Sequence, residues 1–207
     1  MSAIKPHFPQ SYLARHGETA WSRSGRHTGL SDVPLTENGE NSARLLGQRL
    51  DGFSFAEVFS SPLRRAAHTC ALAGFAGDAM IDDDLVEWDY GDYEGKTTEE
   101  IRRAWPGWDI FRDGCPAGES LGQVAARADR VVARLRGMHG DALLFSHGHF
   151  LRVLAARWLD LDPGAGRGLL LSTAALCAIG YEHDWDDPVI RLWNDDIHLH
   201  HQRARKE

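Results

Sequence analysis

Two histidines stand in closely similar settings at distant points of the chain. His16 lies within Arg15-His16-Gly17 and His147 within Ser146-His147-Gly148, and each tripeptide follows an apolar run. An apolar run that stops at a glycine is typical of a strand ending in a turn. Because open α/β sheets bind ligands at the carboxyl ends of their strands, we expect the two imidazoles to lie side by side.

Phosphoryl transfer is the chemistry that suits two imidazoles and two arginines. Arg15 adjoins His16, and Arg65 is expected on a helix that follows the strand at 57–60. Guanidinium groups match phosphate oxygens in paired hydrogen bonds, and a neutral imidazole is a competent nucleophile toward phosphorus. The second imidazole, if protonated, can share the phosphoryl oxygens, and a carboxylic acid can protonate the leaving group. His16 and His147 lack the compact spacing of zinc ligands, so we expect no metal and no cofactor.

Strands and helices alternate along the chain, which predicts a mostly parallel sheet covered on both faces. The last two predicted strands are separated by a short turn and require at least one antiparallel pairing. Helices are expected after the caps Thr36, Ser61, Thr97 and Ser120, and after His149. The segment 107–118 reads as irregular. The predicted strands are 12–14, 57–60, 79–81, 142–146, 176–181 and 189–193.

Composition describes an ordinary globular protein of 207 residues, with 43% hydrophobic and 26% charged residues. The formal net charge of −7 argues against a nucleic-acid partner, and no apolar run is long enough for a membrane span. Three scattered cysteines and no secretory signal favour the cytoplasm. We expect one domain over 1–207, with flexible tails at 1–10 and 198–207. An edge strand at 189–193 could pair two copies of the chain in a homodimer.

Five motifs in order resemble those of the histidine phosphatase (phosphoglycerate mutase-like) superfamily. They run across nearly the whole chain and are Arg15-His-Gly-Glu-Thr19, Ser61-Pro-Leu-Arg-Arg-Ala66, the Leu85–Gly95 segment, Gly118-Glu-Ser120 and Ser146-His-Gly148. The resemblance implies an α/β/α three-layer sandwich whose mostly parallel central sheet has one antiparallel strand. The stretch Ser24–Thr36 and the tripeptide His147–His149 are most similar to the branch of a mycobacterial acid phosphatase and a fungal sedoheptulose-1,7-bisphosphatase.

The resemblance also implies roles for individual residues. His16 matches the nucleophile that becomes phosphohistidine, and Glu87 matches the proton donor. Arg15, Arg65 and His147 match the phosphate pocket, with the Gly148 amide beside them, whereas Arg64 is expected in solvent. The expected substrate contacts are Thr28, Gly29, Tyr90 at the entrance with Trp88, and Ser22, which stands where many relatives have asparagine. Candidates for a second anionic group are Arg26, His27 and His149, although His149 is equally compatible with simple packing at a helix start.

These residues favour a metal-independent phosphatase acting on a small phosphorylated metabolite, such as a sugar phosphate or bisphosphate. Mutases of the family carry a long insertion after the Glu-Gly motif, and the segment Thr97–Pro116 is short. An exposed phosphoenzyme should hydrolyse. Two alternatives stay open at this point. One is a phosphoglycerate mutase, and the other is a weakly catalytic regulatory protein that binds a phosphorylated ligand.

Overall fold

One six-stranded sheet organises the chain in the computed structural model, which describes residues 8–200. The strand order is β3-β2-β4-β1-β5-β6. All six strands expected from the sequence are present, within about two residues at their ends. Their bounds are Ser11–Arg15 (β1), Glu57–Ser60 (β2), Ala79–Ile81 (β3), Ala142–Ser146 (β4), Leu176–Tyr181 (β5) and Pro188–Asp195 (β6).

The sheet is parallel except at one strand. β4 lies between β2 and β1 and is parallel to both, and β3 is parallel to β2. β5 runs antiparallel to both of its neighbours, β1 and β6. The expectation of a mostly parallel sheet with one antiparallel strand is therefore confirmed. It follows that the carboxyl ends of β1, β2 and β4 meet at one edge.

Helices cover both faces of this sheet, as expected for three layers. Apolar residues of α2 and α3 pack on one face, and those of α6 and α7 pack on the other. The helices are Ala20–Arg23 (α1), Glu37–Arg49 (α2), Arg64–Leu72 (α3), Thr98–Ala104 (α4), Ile110–Asp113 (α5), Leu121–Arg136 (α6), Gly148–Trp158 (α7) and Ile197–His200 (α8). Short 3-10 turns occur at Asp83–Leu85, Gly91–Tyr93 and Pro163–Gly168.

Alternation along the central strands divides the core in two. Leu13 of β1 and Leu144 of β4 face the α6–α7 layer, whereas Leu143 and Phe145 face the α2–α3 layer. All five residues of β4 are buried, the pattern of a strand covered on both faces. This double burial fixes the register, because a slip of one residue would exchange the two faces. The register in turn fixes which residues emerge at the carboxyl ends.

Helix caps behave as the sequence indicates, with one exception. Thr36, Thr97 and Ser120 each accept a hydrogen bond from a backbone N–H in the first turn of the following helix. The prediction that Ser61 caps a helix beginning at Pro62 is wrong, since α3 begins at Arg64 and its cap position is Leu63. Ser61 instead turns its hydroxyl toward His147.

Two other expectations need correction. The segment 107–118 is not wholly irregular, because it contains α5, capped by Asp109. His198 is not part of a flexible tail: it is buried in α8, and its Nε2 lies 3.0 Å from the carbonyl oxygen of Ala174. At the other end, Phe8 packs against Tyr181 and Trp185. Residues 1–7 and 201–207 lie outside the described part, so the tail predictions there stay predictions.

The outer strand β6 carries the segment 189–193 and ends the sheet order, so pairing of two copies through it stays a prediction. Between residues 8 and 200, none of the helices combines the length and apolar character that a bilayer crossing would need.

Candidate active site

The ends of β1 and β4 bring His16 and His147 together. The parallel register places Arg15 opposite Ser146, and the backbone N–H of His16 donates to the Ser146 carbonyl at 3.0 Å. The two imidazole centroids are 5.2 Å apart. The expected juxtaposition of the two histidines is therefore present, and both side chains are almost completely buried.

His16 is held as one tautomer by its own loop. Its Nδ1 lies 2.7 Å from the Gly17 carbonyl oxygen, which can only accept, so Nδ1 carries the proton. Nε2 is then left with its lone pair. Burial, followed by the charges of Arg65 and Arg15, lowers the pKa of His16 well below its ordinary value. The imidazole is therefore neutral, which is the form a nucleophile needs.

His147 is held as the opposite tautomer. Arg65 Nε donates to its Nδ1 at 3.1 Å, so the proton of the ring is on Nε2, which lies 2.8 Å from Ser61 Oγ. Burial, Arg65 and His16 lower the pKa of His147 well below its ordinary value. A protonated His147 does not fit this geometry, since Nδ1 already accepts a hydrogen bond. The ring can still donate from Nε2 as a neutral group.

Arg65 is completely buried and organises the loop above it. Its Nη1 donates to Ser31 O, and its Nη2 donates to the carbonyls of Thr28 and Gly29 at 2.8 to 3.0 Å. The same loop is held from the other side by Glu94, whose carboxylate accepts from the Gly29 N–H. Arg65 thus fixes both His147 and the loop 28–31. Its neighbour Arg64 is exposed, as expected.

Arg15 contributes a buried guanidinium nitrogen to the site that has no hydrogen-bond partner among residues 8–200. Its Nη1 donates to Leu171 O at 2.6 Å, but its Nε makes no hydrogen bond there. A buried donor without a partner is costly, and a phosphoryl oxygen would satisfy it. A Cβ added at Gly148 would lie 3.2 Å from this nitrogen. The glycine therefore leaves room for the guanidinium beside the start of α7.

Glu87 follows the 3-10 turn at Asp83–Leu85, and its carboxyl group is hydrogen-bonded to the start of α7. Its Oε1 accepts from the backbone N–H groups of Trp88 and Phe150, and its Oε2 accepts from that of His149. Those two α7 groups belong to the first turn of the helix, whose N–H groups favour negative charge. The carboxyl group is thereby oriented at the wall of the cavity next to His16.

A cavity of about 270 Å³ opens over these groups. Ten residues proposed from the sequence line it: Arg15, His16, Ser22, Arg26, His27, Thr28, Glu87, Tyr90, Gly148 and His149. Three others do not line it. Arg65, His147 and Gly29 lie behind its wall, where the first two pack against each other and Gly29 against Glu94 and Trp88.

Several lining groups are already committed to the protein. The Ser22 hydroxyl donates to Thr19 O and accepts from Thr19 N–H, which completes the capping box of α1. Arg26 Nη1 donates to Gly95 O at 2.5 Å and lies 3.4 Å from Glu100. These contacts leave each group less free for a substrate than its position in the sequence suggests.

Two histidines that line the cavity, His27 and His149, are neutral. His149 Nδ1 lies 2.6 Å from the Tyr90 hydroxyl, and burial, Arg152 and His27 lower the pKa of His149 well below its ordinary value. Burial lowers the pKa of His27 to about 4. Both rings offer hydrogen bonds rather than charge.

The expectation that Trp88 shapes the entrance is wrong. Its side chain is fully buried in the core, and its Nε1 donates to Glu119 O at 2.8 Å. Four lining residues were missed by the sequence analysis: Gly25, Thr98, Arg152 and Leu171. Arg152 could have been found, because it follows His149 by three residues and so shares its helix face. Leu171 follows the irregular chain after α7, and no pattern marks it.

A possible cluster of metal ligands lies elsewhere. Among residues 8–200, Glu182, His183 and Asp187 bring three ligand atoms within 4.8 Å of one another in the β5–β6 turn. That turn does not line the cavity, and two of the three residues are exposed.

Comparison with known proteins agrees with this geometry. The chain is 46% identical over 175 residues to an acid phosphatase of Mycobacterium tuberculosis, covering 83% of this chain and 86% of that protein. It is 38% identical over 185 residues to sedoheptulose 1,7-bisphosphatase of Saccharomyces cerevisiae, covering 74% and 68%. A solved structure of an open reading frame product of M. tuberculosis superimposes with a TM-score of 0.85 at 42% identity, covering 90% and 97%. Both named relatives are of the branch that the sequence resembles.

A family model, that of the histidine phosphatase superfamily (branch 1), matches residues 11–196, a span that runs from the first strand to the segment after β6. The paired histidines at the ends of β1 and β4 and the buried Arg65 between them lie within that span, and this chain belongs to the histidine phosphatase superfamily.

Proposed function

We propose that this protein is a metal-independent phosphatase that hydrolyses small phosphate monoesters, sugar phosphates or bisphosphates, through a phosphohistidine on His16. The observation that carries the proposal is the state of His16. Its ring is neutral, its Nδ1 proton is donated to Gly17 O, and its Nε2 keeps a lone pair in the cavity that Arg15, with its unpaired Nε, also lines. The acid phosphatase and bisphosphatase relatives support the same reaction class.

In the first step His16 Nε2 attacks phosphorus and the ester P–O bond breaks. The leaving oxygen takes a proton from the Glu87 carboxyl group, which lines the same cavity. Arg15 Nε is the donor for the charge that develops on the phosphoryl oxygens. His147 becomes a second donor by exchanging its Nε2–H hydrogen bond to Ser61 Oγ, behind the cavity wall, for one to a phosphoryl oxygen. In the second step a water gives a proton to the Glu87 carboxylate and attacks phosphorus, the P–Nε2 bond of the phosphohistidine breaks, and inorganic phosphate and free His16 result.

Hydrolysis of p-nitrophenyl phosphate in the presence of EDTA tests this proposal. We expect turnover at mildly acidic pH that chelation leaves intact, because arginine, histidine and glutamate side chains supply all the groups used above. Absence of turnover, or its loss on chelation, would refute a metal-independent phosphatase.

The two alternatives give different results in related assays. A phosphoglycerate mutase would interconvert 2- and 3-phosphoglycerate faster than it released phosphate, as a coupled assay would show. A regulatory protein would bind inorganic phosphate or a phosphorylated ligand with no turnover. The short chain between α4 and α6, which carries only the four-residue α5, supports hydrolysis over the mutase reaction.

A further inference from the structure

A second cavity, of about 220 Å³, adjoins the cavity over His16. The two share four wall residues: His27, Thr98, His149 and Arg152. The second cavity lies between α4, α5 and the start of α7, and its apolar wall includes Trp108 and Phe111. A single elongated ligand could therefore occupy both cavities, with one end near His16 and the other near α5.

The walls of this outer cavity are cationic. Arg102, Arg152 and Arg167 line it, against one acidic residue, Asp109. Asp109 is partly used within the protein, because one oxygen caps α5 and the other lies 3.1 Å from Arg167 Nε. A protein with a net charge of −7 thus concentrates three arginines beside the proposed catalytic site.

Arg152 is the best fixed of the three. Its guanidinium lies 4.6 Å from the ring centroid of Phe111, its Nε donates to Gly166 O, and its Nη2 donates to Arg167 O. Its Nη1 makes no hydrogen bond among residues 8–200. Because Arg152 lines both cavities, this remaining group lies at the junction between them.

Arg102 is fixed at one nitrogen only. Its Nε donates to Trp108 O at 2.8 Å, and its two terminal nitrogens have no protein partner in the described part of the chain. The Arg167 side chain is exposed, and its Nε is paired with the Asp109 carboxylate. Terminal guanidinium nitrogens of this kind suit the paired oxygens of a phosphate or a carboxylate.

The residues that sequence alone offered for a second anion are poorer candidates. His27 and His149 are neutral, and Arg26 is already engaged with Gly95 O and Glu100. His27 and His149 lie in the shared wall, where neutral rings suit the hydroxyl groups of a sugar. The shared wall therefore combines two neutral rings with Arg152, and Arg102 and Arg167 line the outer cavity alone.

We propose that the outer cavity binds a second anionic group of the substrate, a phosphate or a carboxylate, through Arg152, Arg102 and Arg167. The inference rests on the proposed function for the reaction at the other end of the same ligand. The preferred substrate is then a small metabolite with a phosphoryl group at one end, hydroxyl groups in the middle and an anion at the opposite end.

Kinetics with four probes test this subsite: fructose 1,6-bisphosphate, 3-phosphoglycerate, fructose 6-phosphate and p-nitrophenyl phosphate. The wild-type protein should prefer a probe with two anionic ends by about ten-fold or more in kcat/KM. The double variant Arg102→Gln/Arg167→Gln should lose about ten-fold of that preference relative to p-nitrophenyl phosphate, mainly through KM, as expected for two partly exposed charges. Whichever dianionic probe is affected identifies the second group as phosphate or carboxylate.

Arg103→Gln is the matched control, because Arg103 is on the same helix as Arg102, is exposed, pairs with Glu99 and does not line the cavity. It should keep the wild-type preference. No preference in a wild type that hydrolyses the probes, or an equal loss for all four probes in the double variant, would overturn the proposal.

Binding separates the subsite from the reaction. Calorimetry measures the affinity of His16→Ala for fructose 1,6-bisphosphate and for 3-phosphoglycerate, with and without the two arginine substitutions. For the ligand that His16→Ala binds more tightly, the arginine substitutions should lower the affinity about ten-fold. If the wild type hydrolysed none of the probes but this difference appeared, the subsite would stand and the proposed function would fall. Equal affinities in the two backgrounds would refute the subsite whatever the enzyme hydrolyses.

Discussion

The ends of β1 and β4 carry the same residue type at the same edge of the sheet, yet their surroundings hold the two histidines differently. A backbone carbonyl accepts the Nδ1 proton of His16, whereas a guanidinium donates to the Nδ1 of His147. One ring therefore presents a lone pair at Nε2 and the other presents a proton. The hydrogen-bond partner of Nδ1 therefore decides which histidine can attack phosphorus and which can only donate a hydrogen bond.

The glycine after each histidine repeats the contrast. A Cβ on Gly17 would lie 2.4 Å from the carbonyl oxygen of Gly39, so the loop after β1 packs backbone against backbone. A Cβ on Gly148 would meet the flexible guanidinium of Arg15 at 3.2 Å. The first glycine serves the packing of the fold, and the second leaves space beside the proposed phosphate site.

The largest expected effect follows from removing the attacking ring. His16→Ala should lower kcat by at least about 10⁴-fold, because it removes the nitrogen that attacks phosphorus in the proposed reaction. Wild-type protein quenched in base during turnover should retain acid-labile phosphate, and the variant should not. A melting temperature like that of the wild type is the control for folding, and near-normal turnover would refute the different roles of the two rings.

Another N–H donor should partly replace His147, whereas no such substitution should replace His16. His147→Ala should lower kcat by about 10²- to 10³-fold, as for the loss of one donor to a developing negative charge. His147→Gln keeps an N–H donor and should recover part of this loss, whereas His16→Gln should recover nothing. Steady-state kinetics of the four variants would measure this, and equal rescue at both positions would contradict the comparison.

The pH dependence should distinguish Arg65 from its neighbour. Because the pKa values of His16 and His147 lie well below the ordinary value of 6.5, both rings are still neutral at pH 6.5, and the acidic limb of kcat/KM should lie below that pH. Arg65→Gln removes a positive charge beside both rings, so both pKa values should rise and the limb should move to higher pH.

Arg64→Gln is the control for that shift, since Arg64 is exposed one residue away. Imidazole titration by NMR provides a second readout that does not depend on turnover. An unchanged limb in Arg65→Gln, or the same shift in Arg64→Gln, would show that Arg65 does not set the charge state of the rings.

The smallest effects are expected at the two glycines. Gly17→Ala forces two backbone segments apart and should destabilise the fold by about 1–3 kcal/mol, measured as a lower melting temperature. Gly148→Ala needs only a shift of the Arg15 side chain and should mainly raise KM several-fold. If Gly148→Ala lost stability and Gly17→Ala lost only substrate binding, the assignment of the two glycines would be reversed.

Much of this site can be predicted from the sequence because strand ends and motifs are local patterns. Apolar runs ending at Gly17 and Gly148 define the two strands, and the parallel arrangement then brings His16 and His147 together. The tautomers could not be predicted, since they depend on a loop carbonyl and on Arg65, which is 82 residues from His147. The place of Arg152 could have been predicted from its spacing to His149, but its contacts with the Phe111 ring and Gly166 O could not, because they join parts of the chain that are distant in sequence.

The errors also have physical causes. Ser61 has the residue type of a helix cap, but its hydroxyl is within reach of a buried imidazole, and the helix begins later. Trp88 follows the proposed acid in sequence, yet its large apolar ring is buried in the core rather than at the entrance. Local preference is overridden in each case by a tertiary contact.

The place of β4 in the sheet has a consequence for how the protein is made. β1 and β2 are synthesised early, but they do not pair with each other in the sheet. Each pairs with β4, which is synthesised much later and places Ala142 opposite Ser11 on one side and opposite Glu57 on the other. A growing chain therefore carries His16, Arg65 and Glu87 well before the strand that aligns them exists. Because pairing so distant in sequence is slow, phosphatase activity should appear late in refolding, after helical structure has formed.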